Sequence, residues 1–257
     1  MSEKNRDGKR TARERMAVER EKQKAAEKRR RTLIVGASVV CVLGLAAVIG
    51  VVAANAGKDK STGAGPAVAP LGAKGKDSLA IPVGKDGAKS TLTVWEDFRC
   101  PACQAFEAAY RPTLHELSDA GKLRVEYHLV RLIDGNLGGS GSLRAANAAA
   151  CAQDAGKFRD YHDVLYANQP KETDDAFADN DKLIELAGKV KGLDTPAFRK
   201  CVEEGTHDAW VEKANQAFRT GGFSGTPTVL LDGKNIYQDQ TMTPAKLKQL
   251  VESANRG

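Results

Sequence analysis

Residues 91–107 read TLTVWEDFRCPACQAFE, from Thr91 to Glu107. Thr91, Leu92, Thr93, Val94 and Trp95 are β-branched, aromatic or apolar, which predicts a buried strand. The run stops at Cys100-Pro101-Ala102-Cys103. Proline suits the first position of a helix, where its missing N–H leaves nothing unpaired. Cys100 therefore falls at a helix N-terminus, where free amides and the helix dipole favour an anion. A thiolate is such an anion, and thiols so placed titrate at roughly 3.5–7.5. Only the thiolate attacks a disulfide, and a thiol of low pKa also leaves faster. Cys103 stands one helical turn on and can close a ring with Cys100. Strand, turn and helix together predict disulfide exchange.

A bare C-x-x-C has other readings. It can be half of a zinc site, which takes a second close pair of Cys or His. Here Cys41, Cys151 and Cys201 stand alone, and His115, His128, His162 and His207 are scattered, so no metal is expected. It can also be an inert structural disulfide. What favours exchange is a second element far down the chain, Gly225-Thr226-Pro227-Thr228-Val229-Leu230-Leu231, where Thr-Pro opens a strongly β run. An ordinary trans proline opening a strand is the other reading of that loop.

Taken together, these motifs resemble the thioredoxin superfamily, and within it the DsbA-like thiol:disulfide oxidoreductases, over residues 79–254. The resemblance implies a cis Pro227 packed against the two sulfurs and a Thr226 backbone that pairs with a bound peptide. It implies Cys100 and Cys103 as the catalytic pair, with no cofactor, since the sulfurs carry the electrons. Its expected partners are reduced or misoxidised exported proteins and a quinone-linked membrane reoxidase of the DsbB or vitamin-K-epoxide-reductase (VKOR) type. One departure stands out. Many relatives carry an acid six residues before the first cysteine, where this chain has Val94. Glu96, on the strand parity of Leu92 and Val94, is then either the proton relay for the buried cysteine or a solvated charge at the strand end.

The charge is uneven. Thirteen of the 39 Lys/Arg and six of the 33 Asp/Glu lie in residues 1–32, leaving 26 basic and 27 acidic residues in the remainder. The basic balance belongs to the tail, which argues against nucleic-acid binding by the folded part. Leu33 to Ala54 is 22 positions without a charge, enough to cross a bilayer as a single helix. Basic residues before it put 1–32 in the cytoplasm and the rest outside, on the positive-inside rule. Ala54-Asn55-Ala56 resembles a signal cleavage site, but the apolar run exceeds the usual 7–15 residues, so a retained anchor is expected. Residues 55–77, rich in Gly, Ala, Pro and Lys, read as a flexible linker.

The expected domain, 78–257, is α/β. Residues 78–84 predict a short edge strand, with Pro82 keeping it from the interior. Phe106, Tyr110, Leu114 and Leu117 mark one face of the helix after Cys103, with Pro112 inside it and Gly121 at its end. Leu123, Val125, Tyr127 and Leu129 alternate with Arg124, Glu126 and His128, a strand with His128 on the polar face. Residues 135–142 read as a Gly-rich loop. Helical periodicity then fills a block of about 140–222, a helical insertion of the DsbA kind. Cys151 and Cys201 face inward on two of its helices and are expected to pair, the alternative being two buried free thiols. Thr228–Leu231, Asp232-Gly233 and Asn235–Gln238 predict a hairpin. Thr243-Pro244 opens a last helix with Leu247, Leu250, Val251 and Ala254 on one face. The expected function is formation of disulfides in exported proteins; a reductase, an isomerase, or a non-catalytic peptide-binding module on the same fold are the alternatives.

Overall fold

A computed structural model describes residues 66–256. The expected basic tail, the membrane span Leu33–Ala54 and the first part of the linker lie outside the described residues. Among the described residues no helix is long and apolar enough to cross a membrane.

Five strands form one sheet in the order β1-β3-β2-β4-β5. They are β1 (Ile81–Val83), β2 (Ser90–Glu96), β3 (Leu123–Leu129), β4 (Thr228–Leu231) and β5 (Lys234–Asn235). The β2–β3 pair is parallel and the other pairs are antiparallel. Alternation decides which side chains go inside. Leu92 and Val94 are fully buried in the main core with Val125 and Leu129, while Trp95 joins Val130 and Phe218 in a second cluster. Fully burying a Leu or Val contributes roughly 1.5–3 kcal/mol, so this register resists slippage. Pro82 sits on the edge strand β1, opposite Glu126.

Helix α1 (Pro101–Asp119) leaves the C-terminal end of β2 and continues through Pro112. Gly121 ends it with φ 72°, while the amides of Gly121 and Lys122 return to the carbonyls of Ser118 and Leu117. Between β3 and β4 lies the helical insertion: α2 (Leu132–Leu137), α3 (Gly141–Asp154), α4 (Phe158–Ala167), α5 (Asn180–Ala187), α6 (Pro196–Glu204) and α7 (Asp208–Thr220). Thr195 caps α6, accepting from the Phe198 amide at 3.2 Å, with Pro196 at the first helical position. Alanines of α3 are buried without residue, which lets α4, α6 and α7 pack closely around it. Cys151 on α3 and Cys201 on α6 are joined by a disulfide. Helix α8 (Pro244–Arg256) closes the fold against α1 through Leu247 and Val251.

The sequence reading needs five corrections. Residues 66–77, read as linker, are docked on the domain: Leu71 N–H donates to Asp154 at 2.7 Å, Gln153 Nε2 to the Leu71 carbonyl at 2.8 Å, and Lys74 bridges Ala80. Gly/Ala/Pro composition says nothing about backbone groups finding such partners. The Gly-rich stretch begins inside α2, because Asp134 anchors that turn. His128 is buried and stacks on Trp95 with centroids 3.9 Å apart. The second hairpin strand stops at Asn235, whose side chain accepts from the Tyr237 amide and turns the chain away. Leu250 and Ala254 are exposed, off the buried stripe of α8 that Leu247 and Val251 form.

Candidate active site

The turn between β2 and α1 is held by three buried or half-buried polar side chains. Asp97 accepts from the amides of Arg99 and Ile133, both at 2.8 Å. Burial outweighs those bonds and pushes its carboxyl up to about 7. Arg99 is 2% exposed, a buried guanidinium is costly without partners, and its two terminal nitrogens, though not Nε, find them. It pairs with Asp134 at 2.7 Å and Asp175 at 2.8 Å, and donates to the carbonyls of Gly138 and Glu172. Gln169, from the insertion, donates to the carbonyls of Phe98 and Cys100 at 2.8 and 3.0 Å. The insertion therefore grips the turn from outside the sheet.

Cys100 is the N-cap of α1 with extended backbone (φ −77°, ψ 117°), and Pro101 follows at the first helical position. Both sulfurs are free thiols; Cys100 is 6% exposed and Cys103 is 0% exposed. Strand β4 runs antiparallel to β2, with Thr228 opposite Trp95, and this brings the residues just before β4 alongside the turn. The Thr226–Pro227 peptide is cis. Cys100 Sγ lies 3.3 Å from the Thr226 carbonyl, to which the thiol donates. The Cys103 thiol stabilises the Cys100 thiolate most, opposed by burial and assisted by the Thr226 hydroxyl and the amides of Cys103 and Ala102, so the Cys100 pKa falls to about 6. Burial and the neighbouring Cys100 thiolate push the Cys103 thiol well up. One sulfur is poised as an anion and the other is kept protonated.

Of the residues singled out in the sequence, Cys100, Cys103, Thr226 and Pro227 are thus brought together. Glu96 is not a solvated charge: it is 1% exposed, and its Oε1 meets His162 Nε2 at 2.7 Å. The Cys151–Cys201 bridge lies within the insertion, between α3 and α6. His162, Glu107, Arg99 and Gln169 were missed. His162 reads as part of the apolar stripe of α4, and Arg99 as an ordinary charge beside the motif. Among the described residues two groups offer three donor atoms within 4.8 Å of one another. In one, Cys151 and Cys201 are already bonded to each other, leaving His207. In the other, Glu96, Glu107 and His162 would supply three of the four ligands a structural zinc site takes.

A groove of about 210 Å³ adjoins these elements, lined by Phe106 and Tyr110 of α1, Val229 of β4, and Ile236, Tyr237 and Met242. The Tyr237 ring meets Phe106 edge-on with centroids 6.3 Å apart, and burial and then the two site cysteines push its hydroxyl up.

The family model described as Thioredoxin matches residues 77–253. The chain belongs to the thioredoxin family. Within that family it is similar to the probable disulfide bond formation protein D of Bacillus cereus, 28% identical over 160 residues, which cover 61% of this chain and 72% of that protein. Among solved structures, oxidised Mtb DsbA is 30% identical with a TM-score of 0.59, the match covering 68% of this chain and 92% of that one. The reduced disulfide bond oxidoreductase DsbG of Mycobacterium tuberculosis is 29% identical with a TM-score of 0.61, covering 72% and 90%. This thioredoxin-family member is a DsbA-like thiol:disulfide oxidoreductase.

Proposed function

We propose that the enzyme runs as an oxidase, making disulfides in exported proteins. A client thiolate attacks Cys100 Sγ of the oxidised Cys100–Cys103 pair, Cys103 leaves, and a mixed disulfide forms. A second client thiolate then attacks the client sulfur and releases Cys100 as a thiolate. Thr226 and Pro227 hold the client strand beside the turn, and the groove along Phe106 and Tyr237 takes its apolar side chains.

The observation that carries this reading is the place of Cys100 as the N-cap of α1 with Cys103 one turn on, which favours its thiolate. The Cys100 thiolate exists only in the reduced enzyme, so it makes the reduced state more stable and the disulfide a stronger oxidant. Reoxidation falls to a quinone-linked membrane partner of the DsbB or VKOR type, and Leu33–Ala54 anchors the domain outside the membrane with residues 1–32 in the cytoplasm. Equilibration with glutathione buffers tests the direction. The potential is expected well above that of a thioredoxin; a value around −270 mV would rule out the oxidase. Absence of any exchange with reduced peptide or insulin, with Cys100 unreactive to alkylation at pH 6, would remove the catalytic pair itself.

A further inference from the structure

Pro101 gives the site a backbone problem. It has no N–H, so the peptide between Cys100 and Pro101 can be held only through its oxygen. The orientation of that peptide is the ψ angle of Cys100, which is 117°. Cys100 caps α1, and its sulfur reaches the first amides of that helix, those of Ala102 and Cys103. A change in ψ would carry the sulfur off them.

Two donors meet the Cys100 oxygen. The Gln104 amide reaches it at 3.2 Å, as the carbonyl of an N-cap residue takes the first bond of its helix. The second donor belongs to a distant part of the chain. Gln169, just past the end of α4, places Nε2 3.0 Å from the Cys100 carbonyl and 2.8 Å from the Phe98 carbonyl. A carboxamide nitrogen carries two hydrogens, one for each oxygen. A single side chain therefore ties the Phe98–Arg99 peptide to the Cys100–Pro101 peptide.

The peptides around this tie are held by other groups. The Arg99 amide rests on the Asp97 carboxylate, and the Cys100 amide on the Asp97 carbonyl at 3.0 Å. That carbonyl also accepts from the Tyr166 hydroxyl at 3.3 Å. In return, Gln104 Nε2 donates to the Tyr166 carbonyl at 3.0 Å. The end of α4 and the start of α1 are thus cross-braced, and Gln169 is the brace that holds the Cys100 oxygen from outside its own helix. Docking of the insertion does not require it, because Arg99 already joins the turn to Asp134, Gly138, Glu172 and Asp175.

We propose that Gln169 is a positioning residue for disulfide exchange: by tying the Phe98 and Cys100 carbonyls together it fixes the Cys100 backbone and keeps the sulfur on the first amides of α1. The proposal rests on Cys100 being the sulfur that clients attack. The helical insertion then sets the reactivity of a cysteine it does not carry. Those amides favour the thiolate and do nothing comparable for a thiol or a disulfide. Loosening the turn therefore costs thiolate and, with it, oxidising strength. An anion at a helix N-terminus is favoured by roughly two- to fivefold, so an effect of about threefold is expected.

The test compares the full chain with Gln169→Met, unbranched like glutamine but without donors. In the reduced variant the thiolate-to-thiol ratio of Cys100 at pH 6, read by thiolate absorbance, should fall about threefold. The equilibrium with glutathione at pH 7 should move about threefold towards the protein disulfide. Gln104→Met cuts the bond to Tyr166 but leaves both carbonyls held, and is expected to titrate as the wild type. A merely structural Gln169 would lower the urea midpoint of both redox forms alike and leave the titration and the equilibrium unmoved, which overturns the proposal. So does a Gln104→Met shift as large as that of Gln169→Met. Should Gln169→Met not fold, Gln169→Ala, which opens the two carbonyls to water, is expected to shift both readings the same way by less, and no shift there overturns the proposal. If wild type exchanges with no reduced peptide, the proposed function has failed instead, and the Cys100 titrations still decide the role of Gln169.

Discussion

Lowering the pH should erase the stability advantage that ionisation gives the reduced enzyme. The Cys100 pKa is about 6 when folded, against 9.0 for an ordinary thiol. A depressed folded pKa contributes stability that is complete above 9.0 and lost as pH falls through 6. Linkage puts the contribution at roughly 2.7 kcal/mol at pH 8, roughly 1.4 at pH 7 and under about 0.1 at pH 5. Groups titrating alike in both redox forms cancel in the comparison of reduced with oxidised chain, and the entropy of the closed ring does not vary with pH. Urea unfolding of both forms across this range should therefore show the reduced form losing about 2.7 kcal/mol relative to the oxidised form. A Cys103→Ala chain identifies the cause. Removing a charge-assisted hydrogen bond costs about 1.5–3 kcal/mol, which carries Cys100 to a pKa of roughly 7–8, whereas Cys103→Ser keeps a donor and should titrate near the wild type. A flat gap between pH 8 and 5, or Cys103→Ala titrating at or below the wild type by thiolate absorbance, would refute this account of the thiolate.

Two further outcomes concern the scaffold. Replacing Cys151 and Cys201 by alanine opens a bridge spanning 50 residues; in the chain-entropy model this costs about 4 kcal/mol, read as a lower urea midpoint with the Cys100 pKa unchanged. Arg99→Ala leaves Asp134 and Asp175 without their cation in a largely buried setting. It should cost roughly 3–5 kcal/mol in the same measurement, more than Arg99→Lys, which keeps the charge but not the fork.

Much of this arrangement was legible from residue order because its signals are local. The β run 91–96, the proline after Cys100 and the alternation of 123–129 each concern neighbours a few positions apart, and the sheet follows from them. The gathering of Thr226 with Cys100 spans 126 residues and was reached through resemblance, not periodicity. What stayed hidden depends on packing. His162 occupies an apolar-face position, and its meeting with Glu96 and Glu107 is made only when α4 lies against α1 and β2. Arg99 carries no local mark of burial, since its partners come from two separate segments, at 134–138 and 172–175. His128 alternates with polar neighbours, yet α7 and Phe223 cover that face of the sheet around Trp95.

The guanidinium of Arg99 has a mechanical meaning. Swinging the helical block away from the CPAC turn would break at once its bonds to Asp134, Asp175, Gly138 and Glu172. The turn that carries the two sulfurs and the helical block are thus tied together at four points, so a shift of one pulls on the other.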